Sequence, residues 1–415
     1  MLNNKNSGNW FFANAILLCI LPNILGVLYS LYLSIKTKKK EYIIIFLCLF
    51  TLFLTYNFYS VDNTLRYIRA YSGLVSDEWI TGNPLDYLLA FLMETNIFES
   101  SHVIYIYILF IYFFWYQSLK LESHKKFDIT FFILLIFTIS LRYAIDLLYY
   151  TMSVIFTVYF LTKNKMIMNI YSYIILFIGV YLIHPGVFMI LLPALCIYFS
   201  MRYNNLYRFT LILIFISGII LSNNTFNQTG VVLIDSILGE FNHYTTEGKW
   251  ATREGASSIT GITNVTLFYI IPLFHYYIFY LSYKYHKILK NKFTICIFQA
   301  ACLFYPSFIN FITLTERILL TMMILSLLIL YQIYNLKKIK KQLVILPTLI
   351  IFFISSWRSY EPILLKNIFR NKTYVEIQQR SYYLPSIILF DYSDYGFSDE
   401  FIRRNSKVFS KFYYN

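Results

Sequence analysis

Apolar stretches of membrane-crossing length recur along this chain, and the connections between them alternate between lysine- and arginine-rich loops and loops of other composition. That alternation constrains the fold more than any motif. Inside hydrocarbon every backbone N–H and C=O must be satisfied within its own segment, so a span is a helix of roughly 20 residues crossing about 30 Å. With 58% hydrophobic residues, 13% charged residues and a mean hydropathy of +0.57, the chain is too apolar to cover a water-soluble surface. Spans are expected near Trp10 to Ile35, Tyr42 to Ser60, Ser101 to Leu121, Asp128 to Leu141, Leu147 to Thr162, Met166 to Ile183 and Gly186 to Ser200. Five more are expected near Phe209 to Leu221, Asn264 to Tyr283, Phe293 to Thr313, Ile318 to Leu336 and Gln342 to Trp357. The expected fold class is all-α: a polytopic integral membrane protein of about 12 transmembrane helices, with two larger extracytoplasmic loops and amphipathic surface helices. One membrane domain covers 1–357 and a tail covers 358–415.

The connections Lys36 to Glu41, Glu122 to Lys126, Lys163 to Lys165, Arg202 to Arg208, Lys284 to Lys292 and Lys337 to Lys341 hold roughly half of the Lys and Arg, which assigns them to the cytoplasm. Parity then sends outward Val61 to Ser100, Arg142 to Asp146, His184 with Pro185, Ser222 to Thr263, Leu314 to Arg317 and both termini. The tail is placed outside by the same count, although Arg358, Lys366, Arg370 and Lys372 pull the other way. The net charge of +14 comes mostly from the cytoplasmic anchors, which attract anionic membrane lipids and call for no nucleic acid. The first apolar stretch lacks the basic start and small-residue cleavage site of a signal peptide and reads as a retained helix. Cys19, Cys48, Cys196, Cys296 and Cys302 fall inside spans without CxxC spacing and read as packing residues.

The outward segments 61–100 and 222–263 are long enough for structure of their own, and such loops usually carry function. In the first, Asp62, Arg66 and Arg69 stand at i, i+4 and i+7, on one helical face, with Tyr67 and Tyr71 as a neighbouring stripe. The apolar run after Gly82-Asn83-Pro84 is too short to span and suits a surface helix. The second loop is polar, with Asp235, Glu240, His243, Glu247, Arg253 and Glu254, a surface suited to sugars.

An ionisable residue at a span costs about 2.5–3.5 kcal/mol on insertion scales and is a functional candidate by default. Arg142, His184 and the pair Glu316–Arg317 each interrupt an apolar run near an outward turn. Arg142 has Asp146 one helical turn away as a structural partner, and otherwise offers a permanently charged fork matched to phosphate oxygens. Arg317 pairs poorly with Glu316, because adjacent helical residues point about 100° apart, and a ligand role is favoured there. His184 precedes Pro185, so it is either a satisfied turn histidine or a group facing a cavity that takes a hydroxyl proton. Asp62 competes for that role, with helix capping or pairing to Arg66 as the alternative. His275 lies mid-span and reads as packed, and Asp391 with Asp394 reads as a solvated turn rather than a metal site. The nucleotide, serine-hydrolase and zinc-protease motifs GxGxxG, GxSxG and HExxH, and the Walker lysine loop, are not in the sequence.

At these residues the chain resembles the EpsG-like, Wzy-type polysaccharide polymerases, multispan enzymes that join lipid-linked oligosaccharide repeats. The parts that carry the resemblance are SVDNTLRYIRAY after the second span, SLRYAIDLLYYTMSVIFTVYFLTKNK, LIHPGVFMILLP and TERILLTMMI. The first is similar to the family's Gly-x-Asp-x-x-x-Tyr element, with Val61 in place of the small residue and the tyrosine one place late at Tyr67, where Arg66 takes the expected position. Asp62, Arg142, His184 and Arg317 are the matching positions.

The resemblance implies a GT-C-like fold and a glycosyltransferase at the outer face of the bacterial cytoplasmic (inner) membrane. It implies polymerisation of undecaprenyl-diphosphate-linked repeats into O-antigen, capsule or exopolysaccharide, with a lipid-linked donor and acceptor and a chain-length regulator as candidate partner. On that expectation Arg142 and Arg317 bind the diphosphate leaving group, with Arg66 and Arg69 in support. His184 or Asp62 accepts the hydroxyl proton, Tyr67 and Tyr71 stack on sugars, and neither metal nor cofactor is required. The rival class is a flippase for the same lipid-linked oligosaccharide, which needs polar residues near the midplane and often related halves, whereas the interruptions here are skewed to one end. A membrane acyltransferase, the third reading, would want its histidine accessible to a cytoplasmic acyl donor.

Overall fold

The computed structural model describes residues 6–57, 85, 88, 91, 100–123, 127–140, 144, 147–163, 170–223, 265–289, 291–309, 311–365 and 384–387. Among them the chain is all-helical and has no named strand. The helices are α1 (Asn6–Ile20), α2 (Asn23–Thr37), α3 (Lys40–Asn57), α4 (Ser100–Glu122), α5 (Ile129–Phe137), α6 (Leu148–Lys163), α7 (Ile170–Ile183) and α8 (Phe188–Ser200). They continue as α9 (Asn204–Asn223), α10 (Ile271–Tyr285), α11 (Lys292–Phe308), α12 (Ile312–Asn335) and α13 (Gln342–Leu365). A 3-10 turn over Pro185–Val187 precedes α8, and a π turn over Thr266–Ile270 leads into α10.

Among the described residues, three helical segments are long and apolar enough to cross a membrane: Ile104–Glu122 in α4, Asn204–Ser222 in α9 and Leu314–Asn335 in α12. Phe11–Ile20, Tyr171–Ile183, Pro185–Ser200, Lys292–Phe308 and Gln342–Ser356 are apolar but shorter. Two expected spans take another form. Trp10 to Ile35 is broken at Leu21–Pro22 into α1 and α2, because Pro22 has no N–H to continue the ladder and its ring excludes the preceding turn. The amide of Asn23 beyond the break donates to Leu384 O at 2.9 Å, so a piece of the tail closes the gap. The Asn23 side chain donates from Nδ2 to Ser386 Oγ at 3.1 Å and to Leu49 O of α3 at 3.2 Å. Asp128 to Leu141 contains only the 9-residue α5, about 14 Å at 1.5 Å per residue and half of a hydrocarbon core.

Two further prolines are compensated by tyrosines. Pro306 inside α11 leaves the Cys302 carbonyl without its i+4 donor, and Tyr276 of α10 donates its hydroxyl there at 3.0 Å. Pro272 at the start of α10 frees the Phe268 carbonyl in the same way, and Tyr305 of α11 donates to it at 2.7 Å. The two helices thus repair each other. Trp115 Nε1 of α4 reaches Leu134 O of α5 at 3.0 Å, adding to the bond that carbonyl already accepts from Thr138 N.

Ends of the helices sort themselves. Asp128 caps α5 by accepting from Phe131 N at 2.9 Å, while its other oxygen accepts from Tyr334 OH at the end of α12 at 3.1 Å. Asn335 Nδ2 donates to Glu122 O at 3.1 Å, and Asn291 Nδ2 donates to Thr162 Oγ1 at 3.4 Å. The helix ends that lead into four of the lysine- and arginine-rich connections, at α4, α6, α10 and α12, therefore lie at one end. α12 runs through the middle of the bundle, packed against α4, α6, α10, α11 and α13.

Candidate functional site

At the opposite end of the bundle, the start of α6, the end of α7 and the second turn of α12 meet. His184 follows α7 in an extended conformation, φ −163° and ψ 107°, and caps the 3-10 turn: its Nδ1 accepts from Gly186 N at 3.1 Å. The apolar run of α7 ends there because Pro185 cannot supply an N–H to Tyr181, so the sequence His-Pro-Gly turns the chain in place. Gly186 is required by close approach. A Cβ on it would stand 2.9 Å from His184 Cε1, 3.0 Å from Nδ1 and 3.7 Å from Arg317 Nη1.

Tyr150 joins the histidine to the arginine. Its ring meets the imidazole edge-to-face at 5.4 Å between centroids and 85°, and Arg317 Cζ lies over the same ring 5.5 Å from its centroid. Thr321, one turn after Arg317, donates to Arg317 O at 3.1 Å, so its oxygen is left to accept the Tyr150 hydroxyl, also at 3.1 Å. His184, Arg317 and Tyr150 are all buried, and Glu316 beside them is buried too. The helix reversal lies upstream of the expected Leu314 to Arg317 turn, at Ile309–Phe311, because Pro306 ends α11 early and α12 begins at Ile312. Arg317 is consequently held within a helix rather than on a loop.

A chemical consequence follows from the cap. Because Nδ1 accepts the Gly186 N–H, the neutral imidazole carries its proton on Nε2. It presents a donor there, not a lone pair. With the Arg317 guanidinium and the Glu316 carboxylate, this end of the bundle gathers charged and hydrogen-bonding groups in a buried setting, where charge-assisted bonds are strongest.

No family model, curated protein or solved structure matches the chain.

Of the residues singled out from sequence, His184 and Arg317 are brought together by the fold. Asp62, Arg66, Tyr67, Arg69, Tyr71, Arg142 and Asp146 lie outside the described residues, as do Asp391, Asp394 and nearly all of both long loops. His275 is fully buried beside Phe274, and neither ring nitrogen has a hydrogen-bond partner among the described residues. No three His, Cys, Asp or Glu side chains gather into a metal set among the described residues. Sequence reasoning missed Tyr150, Gly186 and Thr321. Thr321 had a signal, standing at i+4 from Arg317 inside an apolar run, and Gly186 had one in the His-Pro-Gly turn. Tyr150 had none, being one of 40 tyrosines.

Proposed function

We propose that the protein is a multi-pass glycosyltransferase of the bacterial cytoplasmic membrane, with about a dozen crossings, that polymerises undecaprenyl-diphosphate-linked repeats at the outer face. The observation that carries this reading is the convergence of His184 and Arg317 on Tyr150, at the bundle end away from the basic connections. An anionic lipid-linked donor calls for a guanidinium and an N–H donor in a buried setting near the side where polymer leaves, and Arg317 and His184 supply both.

In the reaction, the acceptor hydroxyl attacks the anomeric carbon of the donor, the bond from that carbon to the diphosphate oxygen breaks, and the lipid diphosphate departs with the electron pair. Arg317 and Arg142 hold the diphosphate, so that attraction rises as charge develops, with Arg66 and Arg69 in support. His184 donates from Nε2 to a phosphate oxygen. That assignment leaves Asp62, of the two proton acceptors expected from sequence, as the base for the acceptor hydroxyl. Tyr67 and Tyr71 stack on sugar faces.

The test is the glycan ladder of a deletion strain complemented with Arg317→Ala, Arg317→Lys and His184→Gln, with membrane insertion checked by quantifying the protein. Loss of one such anion donor is expected to cut chain extension about 100- to 1,000-fold, leaving single repeats exported. His184→Gln, which keeps an N–H donor, retains more activity than His184→Ala. An unchanged ladder from inserted Arg317→Ala removes the arginine from the mechanism, and absence of any exported repeat transfers the assignment to a flippase.

A further inference from the structure

A second feature lies at the other end of the bundle, far from His184. Between α9, α10 and α11 runs a surface groove of about 550 Å³ lined by Leu211, Ile212, Phe215, Phe279 and Leu303, with Arg208 and Tyr283 at its mouth. Arg208, Leu211, Ile212 and Phe215 stand at i, i+3, i+4 and i+7 along α9, so one helical face supplies both the cation and the apolar wall.

The arginine is preorganised. Its Nε donates to Tyr283 OH at 3.0 Å, and the Tyr283 ring stacks on Tyr207 at 5.5 Å and 15°. Tyr207 donates to Gln299 Oε1 at 2.8 Å, and Gln299 donates to Ser282 Oγ at 3.2 Å, which ties the mouth of the groove to the core. The hydrogen bond recorded for this guanidinium among the described residues uses Nε alone, which leaves the Nη groups as donors for an anion. Exposed Arg202, Lys284, Lys287 and Lys292 surround this end, and α9, α10 and α11 contain no Asp or Glu. No carboxylate of these three helices offsets those cations.

We propose that this groove binds an anionic glycerophospholipid, its phosphate at Arg208 and one acyl chain along the apolar wall. The inference rests on the membrane reading of the chain but not on its chemistry. Charge complementarity selects the headgroup, because a guanidinium fork matches phosphate oxygens and the surrounding cations add long-range attraction. The groove begins at the headgroup level of the basic end and runs about 10 Å along α9, the place an acyl chain of that leaflet occupies.

The test uses the full chain in nanodiscs or mild detergent and counts retained lipid by native mass spectrometry, with phosphatidylglycerol against phosphatidylcholine as probes. The wild type is expected to retain phosphatidylglycerol at least tenfold better than phosphatidylcholine. Arg208→Gln abolishes that preference, Arg208→Lys keeps part of it, and Ile212→Trp, which fills the groove, lowers retention of both lipids. Equal retention of the two lipids by the wild type overturns the proposal, as does unchanged selectivity in Arg208→Gln. Displacement of phosphatidylglycerol by an equal amount of undecaprenyl phosphate overturns the choice of occupant. Chain extension by the same Arg208→Gln variant reads the His184–Arg317 site separately, so either idea can fail alone.

Discussion

α12 and α9 each contain a segment long and apolar enough to cross a bilayer, with nearly equal mean hydropathy, yet 89% of the one and 17% of the other lie buried. Hydropathy therefore says nothing about which helix is central. In hydrocarbon, apolar side chains gain little by facing each other rather than lipid, and packing and interhelical hydrogen bonds choose the interior. The polar residues record the choice. Thr321 of α12 reaches Tyr150 on α6, whereas Thr210, Ser217 and Ser222 of α9 donate to carbonyls of their own helix, at 2.8, 2.8 and 2.9 Å. α9 shows Ile212, Leu213, Ile216, Ile219 and Ile220 on its exposed face.

The most direct way to break this comparison is a pair of truncations. Leu328→Ala in α12, where the side chain is fully buried, is expected to cost about 2–5 kcal/mol in equilibrium unfolding in detergent. Ile216→Ala on α9, where the side chain is exposed, should stay within about 0.5 kcal/mol. Equal losses would mean that α9 is also an interior helix. Next comes the seam that holds α9 to α11: a Cβ on Gly218 would lie 3.0 Å from Ser307 Oγ and 3.1 Å from Phe304 Cδ1. Gly218→Val should therefore overpack this one face and lower stability by about 1–3 kcal/mol, read as a drop in melting temperature.

The proline repair can be weighed by a double-mutant cycle. Tyr276→Phe removes the hydroxyl donor to Cys302 O and should cost about 1 kcal/mol, but much less in a Pro306→Ala background, where the restored N–H serves that carbonyl. Additive losses would show that Tyr276 acts only through packing. The smallest effect is expected for Thr210→Val on α9, within about 0.5 kcal/mol, because its hydroxyl serves its own helix on an exposed surface. A loss near that of a buried contact would reveal an interhelical partner.

Two members of the candidate cluster were readable in the sequence. Arg317 and His184 stood out because a cation or an imidazole beside an apolar run is costly, and the lysine-rich turns marked one end of the helices. What stayed hidden had no local signature. Leu384 and Ser386 sit more than 360 positions from Asn23, and nothing in either segment announces the pairing that closes the Leu21–Pro22 break. α5 looked like a span because its apolar run continues past Phe137, where the helix stops. The reversal before α12 was misplaced because Glu316 and Arg317 look like loop residues, although burial inside a helix is where a paired or ligand-binding charge belongs.

The amino-acid order by itself determined that the chain is helical, which connections carry the cations, and which few charges had to be accounted for. Those are local consequences of satisfying each backbone group within its own segment and of the cost of placing charge in hydrocarbon. Only the tertiary structure decided that α12 rather than α9 lies at the centre, that the tail seals the first helix, and that Tyr150 stands between His184 and Arg317. Such choices depend on contacts between distant helices of nearly equal hydropathy, where small differences in fit select one arrangement.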